Sequence, residues 1–289
     1  MTSPRAPGAT ALISVPEPIP KLLRDLVHEK TGSFFETDRL DTMLDKLHPR
    51  VAETGSASYL DYYYLLKYDD KADVEWRRVM DAFSVQETYF WREFDQIRAL
   101  VDDVVPAWFR QTTQPLRIWS AACATGEEPY TIAMALQEAG WGNHPIEIEA
   151  SDASEAALVK ARAGVYRERS FRALPAELRA KYFQSSPEGD VLRRDIADRV
   201  NFRWANLVNP ATYASIDRLR VIFCRNVFIY FSPEGITKVV GAFARQMPPD
   251  GQLFIGASES LLKLTNEFEL EEIRGAFVYR RRTKECSTS

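Results

Sequence analysis

The sequence predicts an α/β protein, a mostly parallel sheet covered by helices on both faces, with an all-helical domain in front of it. Two observations predict this. Up to about residue 83 the apolar residues recur at helical spacing, and beyond residue 116 short apolar runs alternate with helical segments. A length of 289 residues allows one large or two modest domains, and 45% hydrophobic with 27% charged residues is ordinary globular usage.

Residues 1–18 carry four prolines and little periodicity and read as a disordered arm. Ile19, Leu22, Leu23, Leu26 and Val27 then mark a first helix over 19–31, stopped by Gly32. Leu40, Met43, Leu44, Leu47 and Val51 mark a second over 36–53, with Thr37 or Asp38 placed to cap it and Gly55 beyond its end. Two more helices fit 57–67 and 73–83, so 19–83 forms the helical domain and 84–93 a linker. In the domain over 94–289, strands are expected at 116–121, 146–151, 219–224, 251–258 and 275–282. Helices begin at Gly126, Ser154 and Pro233, the first with Glu127, Glu128 and Pro129 in its opening turn. Between Gly164 and Val208 the alternation lapses. One helix after Leu174 is expected there, and VLRRD with RVNFRW is read as a small antiparallel hairpin, an inserted β-subdomain at about 184–205.

Charge and composition exclude several classes. A net charge of -4 argues against wrapping nucleic acid. Cys123, Cys224 and Cys286 lack paired spacing and read as reduced intracellular thiols, while His28, His48 and His144 form no metal-ligand pattern. No run is long enough to cross a bilayer and the N-terminus lacks a signal-peptide core, so a soluble, cytoplasmic, monomeric, metal-free protein is expected.

In open parallel sheets ligands bind outside the carboxyl ends of the strands. After the first strand come Ala122, Cys123, Ala124, Thr125 and Gly126, small enough for close approach, then Glu127 and Glu128. Two carboxylates repel a pyrophosphate and suit a cationic ligand such as the amino and sulfonium groups of S-adenosylmethionine, or they merely complement the helix dipole. Asp152 ends the second strand, where a carboxylate commonly takes a ribose diol, and Ser154 is the better helix cap. Arg225 and Asn226 interrupt the apolar run VIFCRNVFIYF and so need partners or an opening; Arg225 could equally pin a carboxylate, and Tyr230 could plug a strand end.

The segments TYFWRE, RIWSAACATGEEPYTIAMAL, SDASEAALVKARAGVYR and FCRNVFIYF resemble the chemoreceptor glutamate methyltransferases, the CheR family, over about residues 20–282. The resemblance implies a Rossmann-like class I S-adenosylmethionine-dependent methyltransferase domain with a small antiparallel β-subdomain. It also implies methyl transfer to glutamates on the cytoplasmic helical bundle of transmembrane chemoreceptors, with S-adenosylhomocysteine as product. Residue by residue, it gives Thr88 and Arg92 contact with cofactor or acceptor and Glu128 the amino end. Asp152 takes the ribose, Asn206 and Leu207 the adenine region, and Arg225, Asn226 and Tyr230 the pocket floor, with Arg92 and Tyr230 as the catalytic pair. The resemblance also gives Gln86 a cofactor contact, although it stands where the family usually has Asn, and Trp91 stands where Phe is common. The turn near Gln184–Asp190 is shorter than in members that grip a receptor's C-terminal pentapeptide, which argues against such tethering.

The absence of G-x-G-x-x-G weighs against a nicotinamide oxidoreductase, and acidity against nucleic-acid methylation. A non-catalytic regulator sensing cofactor or a nucleotide is the alternative. Finally, Arg39, Lys46 and Arg50 fall within about 40° of one another at 3.6 residues per turn and form a basic stripe expected to dock an acidic receptor bundle, although Asp38, Asp41 and Asp45 nearby also fit a plain solvated face.

Overall fold

A computed structural model describes residues 16–283; most of the expected arm, and Cys286, lie outside the described residues. The helical domain is α1 (Ile19–Thr31), α2 (Leu40–Thr54), α3 (Tyr59–Tyr68) and α4 (Ala72–Phe83). Leu23, Val27, Met43, Leu47, Tyr62, Leu66 and Val79 lock these helices together, each essentially excluded from water. Neither expected cap operates on α2. Thr37–Arg39 forms a separate tight turn and Arg39 takes the cap position without a side-chain bond. Ser58 does cap α3, its hydroxyl accepting from the Asp61 amide.

The chain then forms α5 (Phe94–Ala99), a π-helical turn over Leu100–Val104 and α6 (Val105–Gln111). The α/β domain continues β1 (Leu116–Ala121), α7 (Glu127–Glu138), β2 (Ile146–Asp152), α8 (Glu155–Ala163), β3 (Val165–Tyr166), α9 (Ala176–Tyr182), β4 (Phe183–Ser186) and β5 (Gly189–Leu192). It ends α10 (Arg194–Ala197), β6 (Val200–Trp204), β7 (Val221–Phe223), α11 (Pro233–Gln246), β8 (Gln252–Phe254), β9 (Phe268–Ile273) and β10 (Ala276–Arg281). The main sheet has seven strands in the order β6-β2-β1-β7-β8-β10-β9, parallel from β6 to β8. Its central strands β1 and β7 are buried apart from Arg117 near the start of β1, as parallel strands covered on two faces must be. From β1 the chain winds outward to β2 and β6, then returns to β7 on the other side, so the topological switch point lies between β1 and β7.

The expected hairpin does not form. β5 pairs with β4 across the two residues Pro187 and Glu188, whereas β6 joins the main sheet parallel to β2. The helix α10 separates β5 from β6, so no tight turn can join them. Phe202 instead packs on Tyr130 beneath the main sheet. The small antiparallel sheet, in the order β3-β5-β4, therefore draws on residues 165–192 and not on about 184–205. β9 is hidden in the sequence because FELEEI alternates glutamates and reads as polar; it is an edge strand, where charge is tolerated and discourages further pairing.

Candidate active site

The loop after β1 opens at the switch point. Ala122 (φ 62), Ala124 (φ 48) and Gly126 (φ 93) all adopt left-handed backbone there. At Gly126 a Cβ would also lie 2.9 Å from that of Ala161, so only glycine lets α7 begin this close to α8. The loop is pinned by Cys123 N donating to the Ser151 carbonyl (2.8 Å) and Ala124 N donating to Asp152 Oδ2 (2.9 Å). Beside it lies a cavity of about 320 Å³ roofed by Phe35 and Phe83 of the helical domain and walled by Asp152, Leu207 and Tyr230. A narrower recess of about 50 Å³, lined by Thr88, Arg92, Glu128, Arg225 and Asn226, adjoins it. Val85, Ala122, Ala124 and Asn226 line both, so the two are compartments of one cleft.

The paired carboxylates separate in role. Glu127 is 2% exposed and accepts from the hydroxyls of Thr125 (2.6 Å) and Ser170 (2.9 Å), which leaves it structural. Glu128 faces the recess, accepting from the Ser120 hydroxyl at 2.6 Å and lying 3.3 Å from Arg225 Nη1. Burial pushes its carboxyl up, a tendency opposed by the Arg225 charge and the Ser120 hydrogen bond. Arg225 does pin carboxylates: its side chain is 2% exposed, and Nη2 lies 3.3 Å from Glu93 Oε2 while donating to the Arg92 carbonyl at 2.7 Å. Its Nε is buried without a hydrogen-bond partner. An orphan donor beside a carboxylate fits a zwitterionic amino-acid end, acceptor for the amino group and donor for the carboxylate.

Asp152 is 8% exposed, and its Oδ1 accepts from Ser154 N at 2.8 Å. Burial raises its pKa against the pull of the Ser154 and Ala124 amides, and each oxygen keeps a lone pair for a ligand hydroxyl. Ser154 caps α8, as its position predicts. Asn206 donates to the Lys30 carbonyl (2.8 Å), tying the end of α1 to the cavity wall beside Leu207. Gln86 lies outside the cleft lining and accepts from Lys160 at 2.8 Å on α8; the structure does not bring it to the site. Thr88 and Arg92 do line the recess, Arg92 Nη1 donating to the Glu87 carbonyl at 2.8 Å. Tyr230 is 38% exposed at the cavity rim, and its carbonyl accepts from Phe34 N at 2.8 Å. Gly32, next to this bridge, has no room for a Cβ, which would sit 2.6 Å from the Phe231 ring.

The basic stripe divides. Arg50 forms a two-pronged pair with Glu75 (2.9 and 2.8 Å), bonds Glu53 as well, and has a side chain only 14% exposed. It is a core tie, and its removal from the stripe corrects the expectation drawn from spacing. The reason is Glu75, itself 7% exposed, which also accepts from the Tyr62 hydroxyl at 2.7 Å and cannot be left uncompensated. Arg39 and Lys46 instead border the large cavity, Lys46 lying 5.6 Å from the Phe83 ring.

Two residues escaped the sequence reading. Glu259 accepts backbone amides from Gly256 (2.6 Å), Phe228 (2.7 Å) and Asn226 (2.8 Å), holding the loop after β7 while Asn226 keeps a left-handed φ of 59°. Glu93 accepts from Asn226 Nδ2 (3.2 Å) and Ala257 N (3.1 Å). Glu259 lies in a polar loop and Glu93 among aromatics, and only the fold brings both under the strand ends. Among the described residues no group of three or more His, Cys, Asp or Glu could hold a metal ion.

Comparison with known proteins agrees with this geometry. The family model described as CheR methyltransferase, SAM binding domain, matches residues 86–277, and that described as CheR methyltransferase, all-alpha domain, matches 21–84. Chemotaxis protein methyltransferase 2 of Vibrio cholerae is 36% identical over 261 residues, 89% of this chain and 90% of that protein. The chemotaxis protein methyltransferase of Escherichia coli is 31% identical over 262 residues, 89% of this chain and 88% of that protein. With a family match across both domains and relatives aligned along most of their length, the chain belongs to the CheR methyltransferase family and is an S-adenosylmethionine-dependent methyltransferase.

Proposed function

We propose that the enzyme methylates glutamate side chains on the cytoplasmic helical bundle of chemoreceptors, forming methyl esters in sensory adaptation. The observation that carries the reading is the recess, where Glu128 and the orphan Nε of Arg225 meet the needs of a zwitterionic amino-acid end one compartment away from Asp152. In this reading Glu128 holds the amino group, Asp152 the ribose, and Leu207 with the Asn206 wall the adenine. S-adenosylmethionine, when bound, supplies an electrophilic methyl on its sulfonium.

The protein's own residues have little proton chemistry to perform. A glutamate acceptor, with an ordinary pKa of about 4.3, is already ionised near neutrality and needs no general base. Arg92 orients that carboxylate, and the Tyr230 hydroxyl borders the place where it enters. Catalysis then rests on alignment and on keeping water out of the narrow recess. An over-tight ion pair at Arg92 would stabilise the ground state and slow the reaction. At the rim Arg39 and Lys46, with exposed Phe34 and Ile229, offer a mixed basic and apolar surface to an acidic helical bundle.

The test is transfer of labelled methyl to receptor-containing membranes of the source organism. Base-labile label in the receptor bands is the expected result. Label absent from receptors, or stable to base, would refute a glutamyl ester. No helix among the described residues is long and apolar enough to cross a membrane.

A further inference from the structure

We propose that Glu93 is a positioning residue that keeps Glu128 available to the cofactor's amino group by sharing the guanidinium of Arg225. The inference rests on the reading that Glu128 receives that amino group.

Arg225 lies between two carboxylates, 3.3 Å from Glu128 through Nη1 and 3.3 Å from Glu93 through Nη2. With its side chain 2% exposed it has no water to screen it, so these two groups set its electrostatic surroundings. Glu93 and Glu128 balance Arg225 and Arg92, whose Nε stands 3.9 Å from Glu93, so the Glu93 charge offsets cations that would otherwise hold Glu128 closed to an ammonium. Without the Glu93 charge, Glu128 and Arg225 would form a closed neutral pair. An incoming ammonium would then compete with Arg225 for one carboxylate.

The backbone supports the same assignment. Glu93 stands at the start of α5 but makes no bond to that helix's first-turn amides. Its oxygens turn instead to Asn226 Nδ2 and Ala257 N, and its φ of 48° is left-handed, as is the φ of 67° at Trp91. Two non-glycine residues held there flank Arg92, and such strain persists only where the surroundings over-determine it. Burial alone would raise the Glu93 carboxyl, but the Arg225 charge and the Asn226 and Ala257 donors outweigh it and the carboxyl is held low, hence ionised at neutral pH.

The experiment compares binding of S-adenosylhomocysteine with binding of 5′-methylthioadenosine, which keeps the adenine, ribose and thioether but lacks the amino-acid end. Calorimetry on Glu93→Gln should show the first weakened about tenfold or more, as expected for loss of a charge at close range, and the second within about twofold. Glu93→Asp keeps the charge but not the reach and should bind S-adenosylhomocysteine better than Glu93→Gln does. Equal weakening of both ligands, no weakening of either, or Gln outperforming Asp would overturn the proposal. Glu128→Gln separates the two levels. Selective loss of S-adenosylhomocysteine there with none in Glu93→Gln refutes the role of Glu93 alone, while an unchanged ligand ratio in Glu128→Gln removes the reading beneath it.

Discussion

The loop after β1 and the linker over residues 84–93 line the same recess but are held in opposite ways. The loop is fixed mainly by its immediate neighbours: Cys123 and Ala124 bond the end of the adjacent strand β2, and Gly126 N donates back to the Cys123 carbonyl at 3.0 Å, with one remote tie from the Tyr166 hydroxyl to the Thr125 carbonyl at 2.8 Å. The linker is fixed by remote groups. Phe90 N donates to the Ser170 carbonyl (2.9 Å), Trp91 N to the Thr131 hydroxyl (3.3 Å), and Arg225 reaches across to the Arg92 carbonyl (2.7 Å). A locally built loop carries its conformation in its own small residues and glycine. A remotely held segment depends on several elements folding first, and one lost tie should shift it far more.

Arg225→Ala should break this comparison most sharply. Removing the shared cation leaves Glu93 and Glu128 uncompensated, and a cost of about 3 to 5 kcal/mol in urea unfolding is expected. Methyl transfer should fall roughly a hundredfold or more, because a displaced linker no longer aligns the acceptor. Activity within a few fold of the parent enzyme would mean that the linker does not need its tie.

Asp152→Ala strikes the local side. It should weaken S-adenosylmethionine and S-adenosylhomocysteine by the same factor, about tenfold or more, since both carry the ribose and a charged hydrogen-bond acceptor is lost. Calorimetric affinities that diverge between the two ligands would remove the ribose assignment.

Acid sharpens the comparison without mutation. Glu128 must be ionised to hold an amino group, and burial raises its pKa from the usual 4.5. As pH falls, the proton therefore binds earlier than at an exposed carboxylate, and affinity for S-adenosylhomocysteine should decline from above that ordinary range. Affinity for 5′-methylthioadenosine should decline less, because only Asp152, whose pKa burial also raises, titrates at its ribose, and Glu128→Gln should bring the S-adenosylhomocysteine profile onto that shallower one. A pH-independent S-adenosylhomocysteine affinity in the parent enzyme would contradict the assignment of Glu128.

On the helical domain the contrast lies along α2. Arg39→Ala with Lys46→Ala should slow receptor methylation about three- to tenfold at low salt and flatten its salt dependence, an effect larger than any change in cofactor affinity from their place on the cavity border. Arg50→Ala should do the reverse, costing about 2 to 3 kcal/mol in stability through the stranded Glu75, with salt dependence unchanged. The smallest effect is expected at the inserted sheet. Its turn between β4 and β5 is only Pro187 and Glu188, so truncating a receptor's last residues should alter methylation by less than twofold. A large drop there would show that the short hairpin grips the tail after all.

What the sequence revealed follows from the range of each interaction. The amphipathic helices α1 and α2, the strand β1 and the loop leading into α7 are dictated by near neighbours, and spacing, small residues and Ser or Gly caps disclose them. The partner of β6 is not local: VNFRW alternates as well for a hairpin as for a parallel edge, and only the intervening α10 decides. Likewise the spacing of Arg39, Lys46 and Arg50 gives a common direction but not Glu75, which arrives from α4 and captures Arg50. Glu127 and Glu128 are indistinguishable in sequence, yet the hydroxyls of Thr125 and Ser170 claim one and leave the other to the cleft. Glu93 and Glu259 act on loops more than a hundred and about thirty residues away, respectively, and no periodicity reports that.

The junction at Gly32 bears on how such enzymes can be recombined. Phe34 N bonds the Tyr230 carbonyl, Ser33 bridges Phe231, and Gly32 leaves the Phe231 ring no space for any larger neighbour. The helical domain is thus not an interchangeable module clipped onto a finished catalyst, because the end of its first helix is one wall of the cleft. A chimaera that joins this helical domain to a relative's catalytic half inherits a working cleft only if the two parental sequences meet in register at Gly32–Phe34 and Tyr230–Phe231. Crossover points placed within the linker would separate these partners, however well each half folds by itself.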